Sequence, residues 1–111
     1  MEPLTTAGLV PGKPPGKPPR DRAKLAWLHS LPCAVCGRRP VHAHHVRRFG
    51  ERRDDRRIVP LCVAHHLWEA GPDAIHRLGR GGFEVRFGID LEALIERLNS
   101  AWQLVKQSQA A

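Results

Sequence analysis

Aromatic residues make up only 5% of the 111-residue chain, and tyrosine is absent. So few rings exclude a platform on which successive bases stack. Long apolar runs are missing too. None approaches the roughly 20 residues that a spanning helix needs, which excludes insertion into a membrane. The first residues carry Glu2 and Pro3 and lack the apolar stretch of a secretory signal, so the chain is expected in the cytoplasm. Acidic residues are the minority: 11 Asp+Glu face 18 Lys+Arg, a net charge of +7. That balance favours a polyanionic partner, nucleic acid above all. Cysteines number three, an odd count that disulfides cannot use up, and in a reducing compartment they point to metal binding or catalysis.

The length allows one small domain with a thin core, for which a metal is the expected staple. Residues 1–20 contain a Pro/Gly/Lys repeat from Pro11 to Pro19. It reads as a disordered leader that samples polyproline II, or as a cationic arm against phosphates. The folded part is expected over 21–111. Asp21 caps a short helix to about Leu31, with Leu25, Leu28 and Trp27 inward and Pro32 as its stop. Cys33–Gly37 reads as a tight turn. Short strands over 41–46 and 58–61 flank a charged loop, and a helix follows from Cys62 to near Ala70. Pro72 to about Leu78 reads as a further helical turn, while Phe83–Phe87 stays open between strand and helix. Asp90 caps a last helix over about 90–107, in which Leu91, Leu94, Ile95, Leu98, Trp102 and Val105 recur at helical spacing as a core-facing stripe. The fold class is α+β, a ββα unit with a Cys pair at its entrance and flanking helices.

Cys33-x-x-Cys36 and Cys62-x-x-His65 are two half-sites separated by 25 residues. Zn²⁺ takes four ligands in a tetrahedron, and thiolates with imidazole suit it. A two-residue gap lets one turn present both side chains to one ion, so this set uses every cysteine as a structural zinc site. His66 is the alternative fourth ligand. A redox role for Cys33 and Cys36 fits less well, because Gly37 and a strand follow where a helix should open. Histidines remain over. His44 and His45 are neighbours on the first strand and point to opposite faces unless the strand end twists. His65 and His66 lie about 100° apart on a helix, so one can serve the zinc and the other a second site.

The segment Pro40-Val-His-Ala-His44-His45-Val46, followed by Ile58-Val-Pro-Leu-Cys62-Val-Ala-His65-His66, resembles the HNH endonuclease (ββα-metal) superfamily. It is most similar to small phage and prophage proteins with a Cys-x-x-Cys…His-His…Pro-Leu-Cys-x-x-His-His pattern, over about residues 21 to 98. The resemblance implies a zinc-stapled ββα-metal domain that cuts DNA. It implies that His45 is the general base that activates water, and that His44 and His66 hold a catalytic divalent ion, Mg²⁺, Mn²⁺ or Zn²⁺. Asp55 stands closest to the family's Asn position, and a carboxylate there would fix the His45 tautomer. His76 is the candidate third ligand of the catalytic metal, with Glu69 its competitor.

Eight arginines fall between Arg38 and Arg57. Their planar forks grip phosphate, and Arg47, Arg48, Arg52 and Arg53 are expected to clamp the DNA backbone beside the cut. Phosphate contacts carry no sequence information, so cleavage is expected to be weakly specific unless a protein partner directs it. The reading is therefore a metal-dependent HNH-type nuclease. Its rivals are a non-catalytic zinc-stapled DNA-binding module and a phage recombination or assembly accessory factor.

Overall fold

The computed structural model describes residues 16–48, 50–67 and 71–110. Glu69 and the predicted helix end at Ala70 lie outside the described residues, as does most of the predicted leader. The first helix, α1, spans Arg22–His29. The Asp21 side chain accepts from the Lys24 backbone N–H at 3.0 Å, the N-cap expected from the sequence. The helix stops two residues short of Leu31, because Pro32 disfavours helical geometry in the residue before it. Leu28 is fully buried, Leu25 and Trp27 are half-buried, and Lys24 is buried as well.

Cys33–Gly37 forms the expected turn: the Gly37 N–H donates to the Cys33 carbonyl at 2.9 Å, with Gly37 at φ 78°. Strands β1 (His42–His45) and β2 (Ile58–Leu61) then pair as a two-stranded antiparallel sheet, with His42 opposite Leu61 and His45 opposite Ile58. Every residue of β2 is buried, and buried Val41 and Val46 flank β1. A single helical turn, α2 (Val63–His66), follows directly, and Leu67 is already extended (φ −93°, ψ 136°). So short a helix has little stability of its own.

The segment left open between strand and helix is helical. Helix α3 covers Ile75–Phe87, with a break at Gly79, whose φ of 76° and ψ of 166° suit a residue without Cβ. Ile75 and Phe83 are buried, with Leu78 and Phe87 packed beside them, so helical spacing decides this segment. Gly88, left-handed at φ 62°, ends it. Helix α4 runs over Leu91–Ala110, and the Asp90 carboxylate accepts from the Ala93 N–H at 3.1 Å. Its Leu91, Ile95 and Trp102 are buried and pack the helix against β2 and α1. The fold is mixed α+β, with the hairpin covered by helices and a core centred on Val59, Leu61, Phe83 and Leu91. Among the described residues, no helix is long and apolar enough to cross a membrane.

Candidate metal centres

The antiparallel register brings the end of β2 beside the start of β1, and with it the Cys62 half-site beside the Cys33–Cys36 turn. A backbone bond from the Ala34 N–H to the Pro60 carbonyl at 2.9 Å ties that turn to β2. The ligand atoms of Cys33, Cys36, Cys62 and His65 all lie within 4.8 Å of one another and could hold a metal ion. Cys36 Sγ is 3.6 Å from Cys62 Sγ, and His65 Nδ1 is 3.2 Å from Cys62 Sγ and 3.9 Å from Cys33 Sγ. Phe87 of α3 meets the His65 ring edge-on, with centroids 5.2 Å apart, and so holds it in place. Burial pushes the Cys33 thiol up, but the backbone groups of Cys62, Val35 and Cys36 outweigh it and hold the thiol below its usual range.

The choice between the two neighbouring histidines is resolved by direction. His65 joins the thiols, and His66 turns to the other side of α2, where its ligand atom comes within 4.8 Å of those of His44 and His76. The three rings are 4.8 to 5.1 Å apart by centroid. His76 reaches them from the first turn of α3, beyond the Gly71-Pro72 interruption. His42, two residues from His44 and therefore on the same face of β1, places its Nδ1 2.8 Å from His66 Nδ1. Burial pushes His44 down to about 3 and His66 to about 4, each helped by the neighbouring imidazoles. Both are therefore neutral at pH 7, as metal ligands must be.

These depressed values make stability depend on pH. A histidine that is neutral when folded and protonates near 6.5 when unfolded adds nothing above that pH. Below it, the unfolded chain gains protons first and stability falls. The thermal midpoint is expected to drop as pH falls from about 6.5 towards about 4. His66→Gln should drop less over the same interval, and equal slopes would show that these rings do not contribute.

His45 belongs to neither cluster. Its Nε2 lies 2.8 Å from Asp55 Oδ1, which leaves Nδ1 as the second ring nitrogen. Asp55 is buried and held on every side: Oδ2 accepts from the Asp21 N–H at 2.7 Å and from Arg20 Nε at 3.3 Å. Its carbonyl accepts from Lys24 Nζ at 2.9 Å, and Lys24 also bonds Asn99 Oδ1 of α4. Burial pushes the Asp55 carboxyl up, but the Asp21 N–H, His45 and Arg20 outweigh it and keep the group below the usual carboxylate range. Burial lowers the Lys24 ammonium. His44, His45, His76, Arg47 and Arg80 line one open cleft of about 280 Å³ beside Gly79 and Leu91.

A family description matches residues 14–104: "Protein of unknown function (DUF968)". The chain belongs to the DUF968 family. That span takes in both clusters, the His45–Asp55 pair and the α4 residues that brace it. No curated protein and no solved structure matches the chain.

Within this DUF968 domain, Arg47 lines the histidine cleft, and Arg52 and Arg53 line a groove next to it. Arg48 lines neither; its backbone N–H donates to Glu51 at 2.7 Å. Three residues were missed from the sequence. Sequence spacing assigns Lys24 and Asn99 no role, because no periodicity signals that they meet under Asp55. Arg80 carries no signal in the sequence, and it stands in the cleft with its guanidinium held by Glu92 at 2.8 Å.

Proposed function

We propose that this chain is a metal-dependent endonuclease of the HNH (ββα-metal) type that hydrolyses phosphodiester bonds in DNA. The observation that carries the reading is that His44 and His76, two members of the imidazole trio that His66 completes, share one cleft with a carboxylate-braced histidine, His45. Neither arrangement is needed for a domain that only binds.

Zn²⁺ at Cys33, Cys36, Cys62 and His65 is the proposed staple. With Zn–S of about 2.3 Å and Zn–N of about 2.0 Å, a tetrahedron sets its ligand atoms roughly 3.5 to 3.8 Å apart. The Cys62–His65, Cys36–Cys62 and Cys33–His65 separations of 3.2, 3.6 and 3.9 Å lie around that figure, and all four ligand atoms fall within 4.8 Å of one another. The second cluster offers only imidazoles among the described residues, a donor set that suits Zn²⁺ or Ni²⁺ better than the oxygen-seeking Mg²⁺. An ion held there would supply positive charge to the phosphate and to the departing 3′ oxygen. His45 takes the proton of the attacking water on Nδ1, while Asp55 accepts from Nε2–H and steadies the imidazolium that forms. The water oxygen bonds to phosphorus as the bond to the 3′ oxygen breaks. Loop arginines hold the backbone without reading bases, so a partner protein is the proposed source of any site preference.

Supercoiled plasmid reports single nicks and provides the test. Nicking should appear on adding Zn²⁺, Ni²⁺, Mn²⁺ or Mg²⁺ to protein that retains its tightly held ion, and metal titration should show a second, weaker site. Salt-sensitive binding with no nicking under any of these ions would replace the reading with a non-catalytic DNA-binding module or an accessory factor.

A further inference from the structure

A second groove adjoins the histidine cleft, and its lining is cationic. It measures about 460 Å³ and is lined by Lys17, Pro18, Arg20, Arg47, Arg52 and Arg53, with no carboxylate among them. Arg47 lines both the groove and the cleft, so the two adjoin at that residue. Arg20 also belongs to two sites: it lines the groove, and its Nε reaches Asp55, the brace of His45. The other arginine of the cleft, Arg80, has a different setting. Glu92 and Glu84 offset its charge, and the surface beyond it carries Glu84 and Asp90. Charge around the cleft is therefore lopsided. The excess of positive charge lies on the Arg47 side, where Asp55 pairs with Arg20 but the groove lining itself is all cationic or apolar, and it comes from two chain segments far apart in sequence.

We propose that this groove is the binding site for a nucleic-acid strand, holding the phosphates next to the one placed in the histidine cleft. Lys17, from the Pro/Gly/Lys segment, and Arg20, just after it, form one wall, and Arg52 and Arg53 form the other. Guanidinium forks and a lysine ammonium suit the spaced monoanions of a phosphodiester chain. Pro18 and Pro19, between Lys17 and Arg20, stiffen this wall and lower the entropy lost on binding. The inference rests on the nuclease reading for what happens in the cleft, but strand binding in the groove stands or falls separately.

The test uses the full chain with its metals and labelled single-stranded DNA and RNA oligonucleotides. Binding is followed by fluorescence anisotropy across a salt series, on a His45→Ala background so that the probe survives. Lys17→Ala, Arg52→Ala and Arg53→Ala combined should weaken binding about tenfold or more and lower the salt slope by about two, since each lost single-strand phosphate contact removes about 0.7. Arg22→Ala, Arg86→Ala and Arg97→Ala combined remove the same net charge from exposed positions outside the groove, and should leave the slope unchanged. Equal losses in the two variants, or none in the first, would overturn the groove. A matching pattern on DNA and RNA assigns it to the shared phosphodiester backbone, and a loss confined to one assigns it to that polymer. Groove-dependent binding by a chain that cuts nothing would remove the nuclease reading and leave the groove in place.

Discussion

His45→Ala is expected to lower metal-dependent plasmid nicking by about 10²- to 10⁴-fold, the usual contribution of a positioned general base. Fold and metal content should hardly change. His45 is half-buried at the strand end, and neither metal cluster includes it. The comparison that sharpens the result is Asp55→Asn. Asp55 accepts from His45, from the Asp21 N–H and from Arg20, whereas an amide keeps one acceptor oxygen and adds two donors. That variant should lose activity and also about 1–3 kcal/mol of stability through buried groups left without partners. His45→Ala is therefore the cleaner probe. Full activity in His45→Ala, with metal still required, would move the base elsewhere and sink the assignment.

Cys62→Ser is expected to abolish the cooperative folded state at 25 °C. Structural Zn²⁺ sites contribute about 10–16 kcal/mol in small zinc modules, as much as or more than the 5–15 kcal/mol net stability of a typical domain. Cys62 is buried, follows β2 directly and stands at the N-cap of α2, so its loss should release both the proposed ion and the turn that carries His65 and His66. A strong chelator should have the same effect on the unaltered chain, with Zn²⁺ restoring the circular dichroism signal. A cooperative melt in Cys62→Ser that matches the unaltered chain, with metal still bound, would show that the cluster is not a staple.

Both predictions use residues that are visible in the sequence, and the reason is local. A Cys-x-x-Cys turn and a Cys-x-x-His helix start each place two ligands within a few ångströms using only neighbouring backbone. Their pattern therefore survives without knowledge of the fold. The same holds for the α4 stripe and for the Asp21 and Asp90 caps, which depend on residues three and four apart.

Which histidine joins which cluster depends on elements that no local spacing relates. His65 and His66 differ only by a rotation of about 100° on one helical turn. What lies on either side of that turn is set by hairpin register and by α3 packing on α2. Register also explains the Asp55 contact: His45 pairs with Ile58, three residues after Asp55, so the loop that returns the chain to β2 delivers the carboxylate to the strand end. The burial of Lys24 beneath Asp55 joins α1, that loop and α4, segments 31 and 75 residues apart along the chain.

Sequence alone determined the four donors of the first cluster up to the His65/His66 choice, the hairpin, the terminal helix and the excess of positive charge, because each is written in short-range spacing or in composition. Tertiary structure alone decided that His76 joins His44 and His66, that Lys24 and Asn99 brace the partner of His45, and that Lys17 and Arg20 face the arginine loop. Those contacts arise from how helices pack on a two-stranded sheet, and packing is a property of surfaces that meet only once the whole chain has folded.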